Sequence, residues 1–375
     1  VTILLNDVQR ANQPYLKRLQ QIVLEVMASG YFINGPHCEK LTQRLKDRYG
    51  FRHCILCNSG TDALLAAFQA CGMSKDSIVY APAYTYHTPV AAAMLTGYRD
   101  IHLVDTEAGR PLSPICYPST DAEHIQVIVD LFGEANRGIV DLFGEVNREA
   151  SPNMYNRFEI YDAAQSFGQK FPVANNVIVC LSFYPTKNLA GMGDGGAVLF
   201  QDNMLLEGMH SSLRQGVSKE SKLICELVGC NSRLDELQAA VLNVKLDYVD
   251  EQITFRRKAA TVYNIYLRKT CLTPEIRTEH LNGAAEHTFN QYVVKFDTEQ
   301  ARDRARSALL RQDIGCAIYY PQPINKQPFW YRFKGRTKAT PRAEEWSARS
   351  LALPFFYGIT EEEQRIVAAC IVASQ

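Results

Sequence analysis

The chain has 375 residues, more than one small core needs, which suggests two or so domains. Hydrophobic residues at 46% and charged residues at 21% describe a globular protein and not a disordered or fibrous one. Forty basic and forty acidic side chains cancel, so no polybasic face is implied, and neither nucleic acid nor an anionic membrane surface is expected as a partner. The opening VTILLNDVQRANQ does not read as a signal peptide, and no apolar run reaches the roughly 18 residues of a spanning helix; a cytoplasmic protein is expected.

In chain order, helices are predicted over residues 14–28, with Pro14 in the first turn, and over 38–49. A strand follows at 54–57. Its Cys54 and Cys57 form a CxxC pair, but residues three apart on a strand point to opposite faces, and no second pair completes a zinc site. The eleven cysteines are read as buried apolar residues of a reducing cytosol. A helix over 61–71 has Ser59 and Thr61 as capping residues and Asp62 at its positive end. Strands at 77–81, 100–104, 126–130, 157–161, 177–182 and 197–200 alternate with a helix at 88–96, the pattern of an α/β domain with a mainly parallel sheet.

A tandem repeat interrupts this pattern: residues 129–136 read VDLFGEAN and 140–147 read VDLFGEVN, eleven positions on. Two units do not make a solenoid. The first copy is expected as the central strand because 125–129 extends its apolar run; the second is expected as a surface insertion or a replaced helix. From Arg233 one long helical pattern runs on to about residue 269. Strands at 291–296 and 316–320 and helices at 299–312, 341–350 and 361–371 complete an α+β region. Residues 1–245 are therefore expected as a large α/β domain and 246–375 as a smaller C-terminal α+β domain.

Four segments carry chemistry. In Asn58-Ser59-Gly60-Thr61-Asp62 a strand turns into a helix, and the free N–H groups of a helix start suit a phosphate, although an ordinary N-cap accounts for the segment taken alone. In Tyr161-Asp162-Ala163-Ala164-Gln165, Asp162 stands at a strand end, where ligands of open α/β sheets bind; a carboxylate there can pair with a pyridine nitrogen or simply cap a helix. Lys187, in SFYPTKNLAGMGDGG, lies between a strand and a glycine-rich loop; alone it reads as a solvated loop lysine, and deprotonated it is a nucleophile toward an aldehyde. GMGDGG precedes a strand and opens no helix, so it is not a dinucleotide fingerprint. The fourth segment, GCNSRLDELQAA, reads alone as a capped amphipathic helix.

Together, in this order, the segments resemble the nucleotide-sugar aminotransferases of the DegT/StrS-like family, which depend on pyridoxal 5′-phosphate (PLP). The resemblance covers nearly the whole chain, from SGYFINGP at 29–36 through SGTDAL, APAYTY, YDAAQSFG, SFYPTKNLAGMGDGGAV and NSRLDELQAAVLNVKL to YYPQPINKQP and LALPFFYGITEEE. It implies fold type I, a large domain with a mainly parallel mixed sheet flanked by helices plus a smaller C-terminal domain. It implies that Lys187 forms the Schiff base with PLP and shuttles the proton, that Asp162 pairs with the pyridine nitrogen, and that Gln165 contacts the ring's 3-oxygen. Tyr86 is implied to stack on the ring, and Gly60, Thr61 and Ser182 to hold the phosphate. Asn231 is implied to reach the phosphate of a partner subunit's cofactor, giving a homodimer with shared active sites. Tyr320 and Asn325 are placed toward the substrate, and no metal is called for.

The implied reaction is transfer of an amino group from an amino acid, by family habit L-glutamate, to a nucleotide-linked keto sugar. The 319–327 segment resembles relatives acting on 3-keto sugars. Three departures stand out: Tyr161 where the family has Glu, Asn325 where it commonly has His, and the doubled VDLFGE segment. Lys187 argues against the dehydratases of this fold, which carry His there. A degenerate PLP- or sugar-binding regulator is the alternative, and retention of Lys187 and Asp162 speaks against it. PLP chemistry other than transamination, such as elimination, stays open.

Overall fold

The computed structural model describes residues 2–107, 110–114, 123–136, 157–217, 223–267, 287–333, 336–337 and 339–375. The chain begins with α1 (Val8–Asn12), a 3-10 turn at Gln13–Tyr15 that contains Pro14, and α2 (Leu16–Ser29). Helix α3 (Pro36–Tyr49) ends at Gly50, whose φ of 75° is the left-handed cap that glycine adopts freely. Seven strands follow, β1 (His53–Cys57), β2 (Ile78–Pro82), β3 (Asp100–Val104), β4 (His124–Val129), β5 (Arg157–Asp162), β6 (Val177–Ser182) and β7 (Gly196–Phe200). Helices α4 (Gly60–Ala70) and α5 (Thr88–Leu95) join the early strands, and α6 (Leu205–Leu213) follows β7.

These strands form one sheet in the order β1-β7-β6-β5-β4-β2-β3, with β9 (Arg336–Thr337) pairing outside β3. Strand β7 is antiparallel to both neighbours, and the other pairings are parallel. Strand residues alternate between faces, as the period of two requires. Ile178 and Cys180 face a core shared with α4, α5 and α6, whereas Val179 and Leu181 face one shared with α3 and with α7 (Glu236–Leu246). The CxxC pair divides in the same way: Cys54 packs in the second core and Cys57 in the first, both as free thiols.

The first VDLFGE copy supplies the end of β4, the 3-10 turn Leu131–Gly133 and its neighbours; the second copy lies outside the described residues. The long helical pattern after Arg233 is two helices, α7 and α8 (Val249–Leu267). The break has a packing reason. Helix α7 is buried on every side from Ala239 to Leu246, whereas α8 buries one stripe, so tighter bonds from Asp247 N–H to Val244 O and from Tyr248 N–H to Lys245 O re-aim the chain.

A third core joins α8, α9 (Glu299–Arg311), α12 (Glu361–Ala373) and the antiparallel pair β8 (Tyr292–Lys295) and β10 (Ser350–Leu353), and Ile3 packs into it from the N-terminus. Trp330 of α10 (Pro328–Phe333) and Trp346 of α11 (Pro341–Arg349) pack instead into the core of the large sheet. The expected strand at 316–320 does not form; only Ala317 bridges, to Ala352. Pro321 lacks an N–H for a ladder, and the Tyr319 carbonyl is taken by the Tyr84 and Ser350 hydroxyls. Among the described residues no helix is long and apolar enough to cross a membrane.

Buried charges sort into satisfied and unsatisfied. The Glu236 carboxylate, 1% exposed, accepts from the N–H groups of Gly35 (3.0 Å), Cys38 (3.0 Å) and His37, so α7 caps the start of α3. A Cβ on Gly35 would stand 2.8 Å from the Glu236 Cδ, which makes glycine necessary there. Replacing Glu236 by Leu strands these donors in the interior and should cost about 2–4 kcal/mol in urea unfolding, with Glu236→Gln costing less. Lys245 has no such partner among the described residues. Burial lowers its amine to about 8 from the ordinary 10.5, so the unfolded chain binds more protons between those values and native stability rises with pH there. Lys245→Met should therefore stabilise the fold at pH 7 by on the order of 3 kcal/mol, an advantage that fades above pH 8 in denaturation series.

Candidate active site

A cavity of about 460 Å³ opens at the carboxyl ends of β5 and β6, where Asp162 and Ser182 stand, and the first turn of α4 forms its opposite wall. Such strand ends are where open α/β sheets bind small molecules, and the volume lies within the roughly 300–1,000 Å³ of small-molecule sites. Ser59 caps α4 by accepting from the Asp62 N–H at 3.1 Å, and Asp62 in turn accepts from the Ser232 hydroxyl at 2.8 Å. The contact between this turn and the sheet is close. A Cβ on Gly60 would lie 2.8 Å from the Ser182 Cβ, and one on Gly196 would lie 2.4 Å from the Ser59 carbonyl oxygen. Gly60, Thr61 and Ser182 thus surround the positive end of α4 within the cavity.

Asp162 is 8% exposed and spends Oδ1 on the Ala164 N–H at 3.1 Å. Burial raises its carboxyl above the ordinary range, against the pull of the Ala164 N–H and of Lys187. Burial lowers the Lys187 amine, which Asp162 opposes. Desolvation exceeds mutual attraction at both groups, so the amine is pushed toward the neutral form that a nucleophile needs. Tyr161 turns to the other face of β5, into the second core, where its hydroxyl donates to Glu159 at 3.3 Å; the departure from the family's Glu stays away from the cavity.

The glycine-rich loop after Lys187 wraps a side chain from α7. Gln238 accepts from the Met192 N–H at 2.8 Å, and added Cβ atoms at Gly191 and Gly193 would each come within 2.9 Å of its amide. Asn290 holds the other side of the Lys187 turn, donating to the Thr186 carbonyl at 3.1 Å and to Asn188 Oδ1 at 3.3 Å. Gln165 is held at both ends: its Oε1 accepts from the Phe132 N–H at 2.6 Å, and its Nε2 donates to the Tyr320 hydroxyl at 2.9 Å. Because only an oxygen can accept from Phe132, the amide's orientation follows.

Of the residues singled out in the sequence, Gly60, Thr61, Tyr86, Asp162, Gln165, Ser182, Lys187 and Tyr320 line the one cavity. The Tyr86 ring is 51% exposed and 5.9 Å from the Tyr320 ring. Asn231 is exposed, bridges to Arg214 and does not line this cavity. Asn325 also stands off it, with Oδ1 buried and unpartnered. Sequence reasoning missed Thr85 and Gln291, which line the cavity, and Phe132, Asn290 and Gln238, which hold its walls. For Gln238 the four glycines of GMGDGG were the available signal; Thr85 lies in APAYTY and Phe132 in the doubled VDLFGE segment, whereas Asn290 and Gln291 lie in a segment with no local mark.

PLP fits these groups. A buried carboxylate with one oxygen uncommitted suits a protonated ring nitrogen, the helix start suits a phosphate, and the lysine between them suits an aldehyde. Fold and site together define the class of fold type I aminotransferases. The model of the DegT/DnrJ/EryC1/StrS aminotransferase family matches residues 15–113 and 140–372, and the chain belongs to that family. It resembles the UDP-2-acetamido-2-deoxy-3-oxo-D-glucuronate aminotransferase of Pseudomonas aeruginosa, with 30% identity covering 93% of this chain and 94% of that one. It is also 29% identical to a pleiotropic regulatory protein of Geobacillus stearothermophilus, over 96% of this chain and 95% of the other. Among solved structures it superposes on S. venezuelae DesV in complex with a ketimine intermediate, with TM-score 0.84 and 25% identity over 99% of this chain and 98% of that chain. The protein is a PLP-dependent aminotransferase.

The close contact at Gly60 gives a direct test. Gly60→Ala forces the α4 start away from Ser182 and should raise the dissociation constant for PLP by about tenfold or more in a spectroscopic titration, while the same overpacking costs the cofactor-free fold about 1–3 kcal/mol in unfolding.

Proposed function

We propose that the protein transfers an amino group from L-glutamate to the keto group of a nucleotide-linked hexose, at the 3-position. The carrying observation is the convergence of Lys187, Asp162 and the α4 start on one cavity. The acceptor follows from the P. aeruginosa relative, whose name specifies a 3-oxo sugar nucleotide, and from the YYPQPINKQP segment, which brings Tyr319 and Tyr320 to the cavity wall.

PLP supplies an aldehyde that takes up the amine and a ring that accepts the electron pair released at the substrate carbon. Asp162 stabilises the positive charge on the ring nitrogen, and that cation in turn relieves the cost of burying the carboxylate. The Lys187 amine, lowered by burial toward its neutral form, takes the proton from the substrate carbon and returns it on the cofactor side. Gly60, Thr61 and Ser182 grip the phosphate, Gln165 offers its remaining Nε2 hydrogen to the ring's 3-oxygen, and the Tyr86 ring covers the exposed face.

The same reading takes residues 1–245 as the cofactor-binding domain and 246–375 as the smaller one, supported by the separate third core. It takes the working form to be a homodimer in which Asn231 serves the partner's phosphate. Leu223 (95% exposed) and Val228 (91% exposed) lie just before Asn231, an apolar surface that suits a subunit contact. The described cysteines are all free, which suits the cytoplasm. The name of the Geobacillus relative favours a regulator, but a regulator has no use for an amine lowered by burial beside a carboxylate in the cofactor cavity.

The test follows labelled nitrogen from glutamate into UDP- or dTDP-linked 3-keto hexoses. The native protein should transfer it, and Lys187→Ala should lower turnover by about three orders of magnitude or more. Full turnover by that variant, or no transfer by the native protein, overturns the reading.

A further inference from the structure

Two polar groups on the cavity wall take no part in the chemistry above, and both lack a partner. Thr85 Oγ1 and Gln291 Oε1 are buried without a hydrogen bond, although both residues line the cavity. An unpaired buried amide or hydroxyl costs about 1–3 kcal/mol, so atoms of this kind on residues that line a cavity mark where a ligand's polar groups belong. Gln291 contrasts with its neighbour Asn290, whose amide is spent on the Lys187 turn.

The placement of Gln291 is built in. The Phe132 carbonyl accepts from the N–H groups of Asn290 (2.9 Å) and Gln291 (3.4 Å), and the Gly133 carbonyl accepts from the Thr288 N–H at 2.8 Å. A Cβ on Gly133 would stand 2.7 Å from Thr288 Oγ1 and 2.8 Å from the Phe289 nitrogen, so the two backbones meet without a spacer. The same Phe132 offers its N–H to Gln165. One turn of the first VDLFGE copy therefore fixes Gln165 on the cavity floor and Gln291 on its wall.

We infer that Gln291, held by the Phe132 turn, reads a hydroxyl or amide N–H of the sugar acceptor and so sets acceptor specificity. The inference rests on the nucleotide-sugar reading. It assigns Gln291 to the acceptor and not to the amino donor on chemical grounds: the buried oxygen needs a hydrogen-bond donor, which a sugar ring supplies at several positions, whereas the one donor group of glutamate, its amine, is committed to the transfer itself. Thr85, which can both donate and accept, completes the polar pair in the same cavity.

The test separates the two half-reactions of the PLP-loaded enzyme. With Gln291→Leu, the half-reaction with glutamate should keep its rate and KM within about twofold, while KM for the UDP- or dTDP-linked 3-keto hexose that the native enzyme uses rises about tenfold or more. The intact donor half-reaction also certifies the fold and the cofactor. If Gln291→Leu fails to hold PLP, Gln291→Glu, which keeps an accepting oxygen, carries the same comparison and should retain acceptor KM within about threefold of native. An unchanged acceptor KM in the leucine variant, or equal losses in both half-reactions, overturns the assignment of Gln291. A native enzyme that takes the amine from glutamate but passes it to no nucleotide-linked keto hexose overturns the acceptor reading itself, before Gln291 is varied.

Discussion

The site depends on one steric constraint, the approach of the α4 start to the end of β6 with no side chain between them. Gly60 meets Ser182 and Gly196 meets Ser59 at separations that a single Cβ would violate. Strand β7, antiparallel between β1 and β6, makes the approach possible, because it returns the chain from the glycine loop alongside the strand that precedes Lys187. The anion cradle and the lysine then belong to one rigid unit. Lys187 lies five residues after Ser182, in a turn closed by its own N–H to the Tyr184 carbonyl at 2.9 Å.

Electrostatics within that unit run against the fold's own comfort. Burial raises the Asp162 carboxyl and lowers the Lys187 amine, and their attraction does not compensate either shift. In the proposed reading a bound pyridinium brings a further cation against Asp162 and so reverses the balance there. Cofactor binding and folding stability are coupled for this reason, since the ligand bound only by the native state stabilises it by mass action. Lys245 is a different case. Its amine too is lowered by burial, yet it serves no ligand in the reading above and, still largely protonated near neutral pH, stands as a cost there.

Much of this was legible in the sequence where a local pattern coincides with a functional position. Asp162 and Ser182 end apolar runs that became β5 and β6, and Gly60 opens a capped helix, so alternation and capping located them without a structure. The same logic failed where tertiary contact overrides pattern. The apolar 316–320 run looks like a strand, but its carbonyl at Tyr319 serves side chains; the end of the expected 341–350 helix instead begins β10 at Ser350, because that run meets β8. The long helix after Arg233 broke at Asp247 because α7 is buried on all sides whereas α8 leaves the second core after Ile253 and runs into the third, which periodicity within either half does not record.

The doubled VDLFGE segment shows the same boundary between pattern and contact. Its first copy reads as the end of a strand, and β4 forms as that reading expects. What the pattern does not carry is the next turn, where Phe132 takes a φ of 60° that a bulky residue rarely adopts. The backbone there is held from both sides, by the Gln165 side chain at the N–H and by Asn290 and Gln291 at the carbonyl. A strained residue persists only where its surroundings over-determine it, and here those surroundings are the cavity floor and wall. The turn therefore couples Gln165 on the cavity floor to Gln291 on its wall, so a change at Phe132 acts on both at once, whereas a change at Gln291 acts on one.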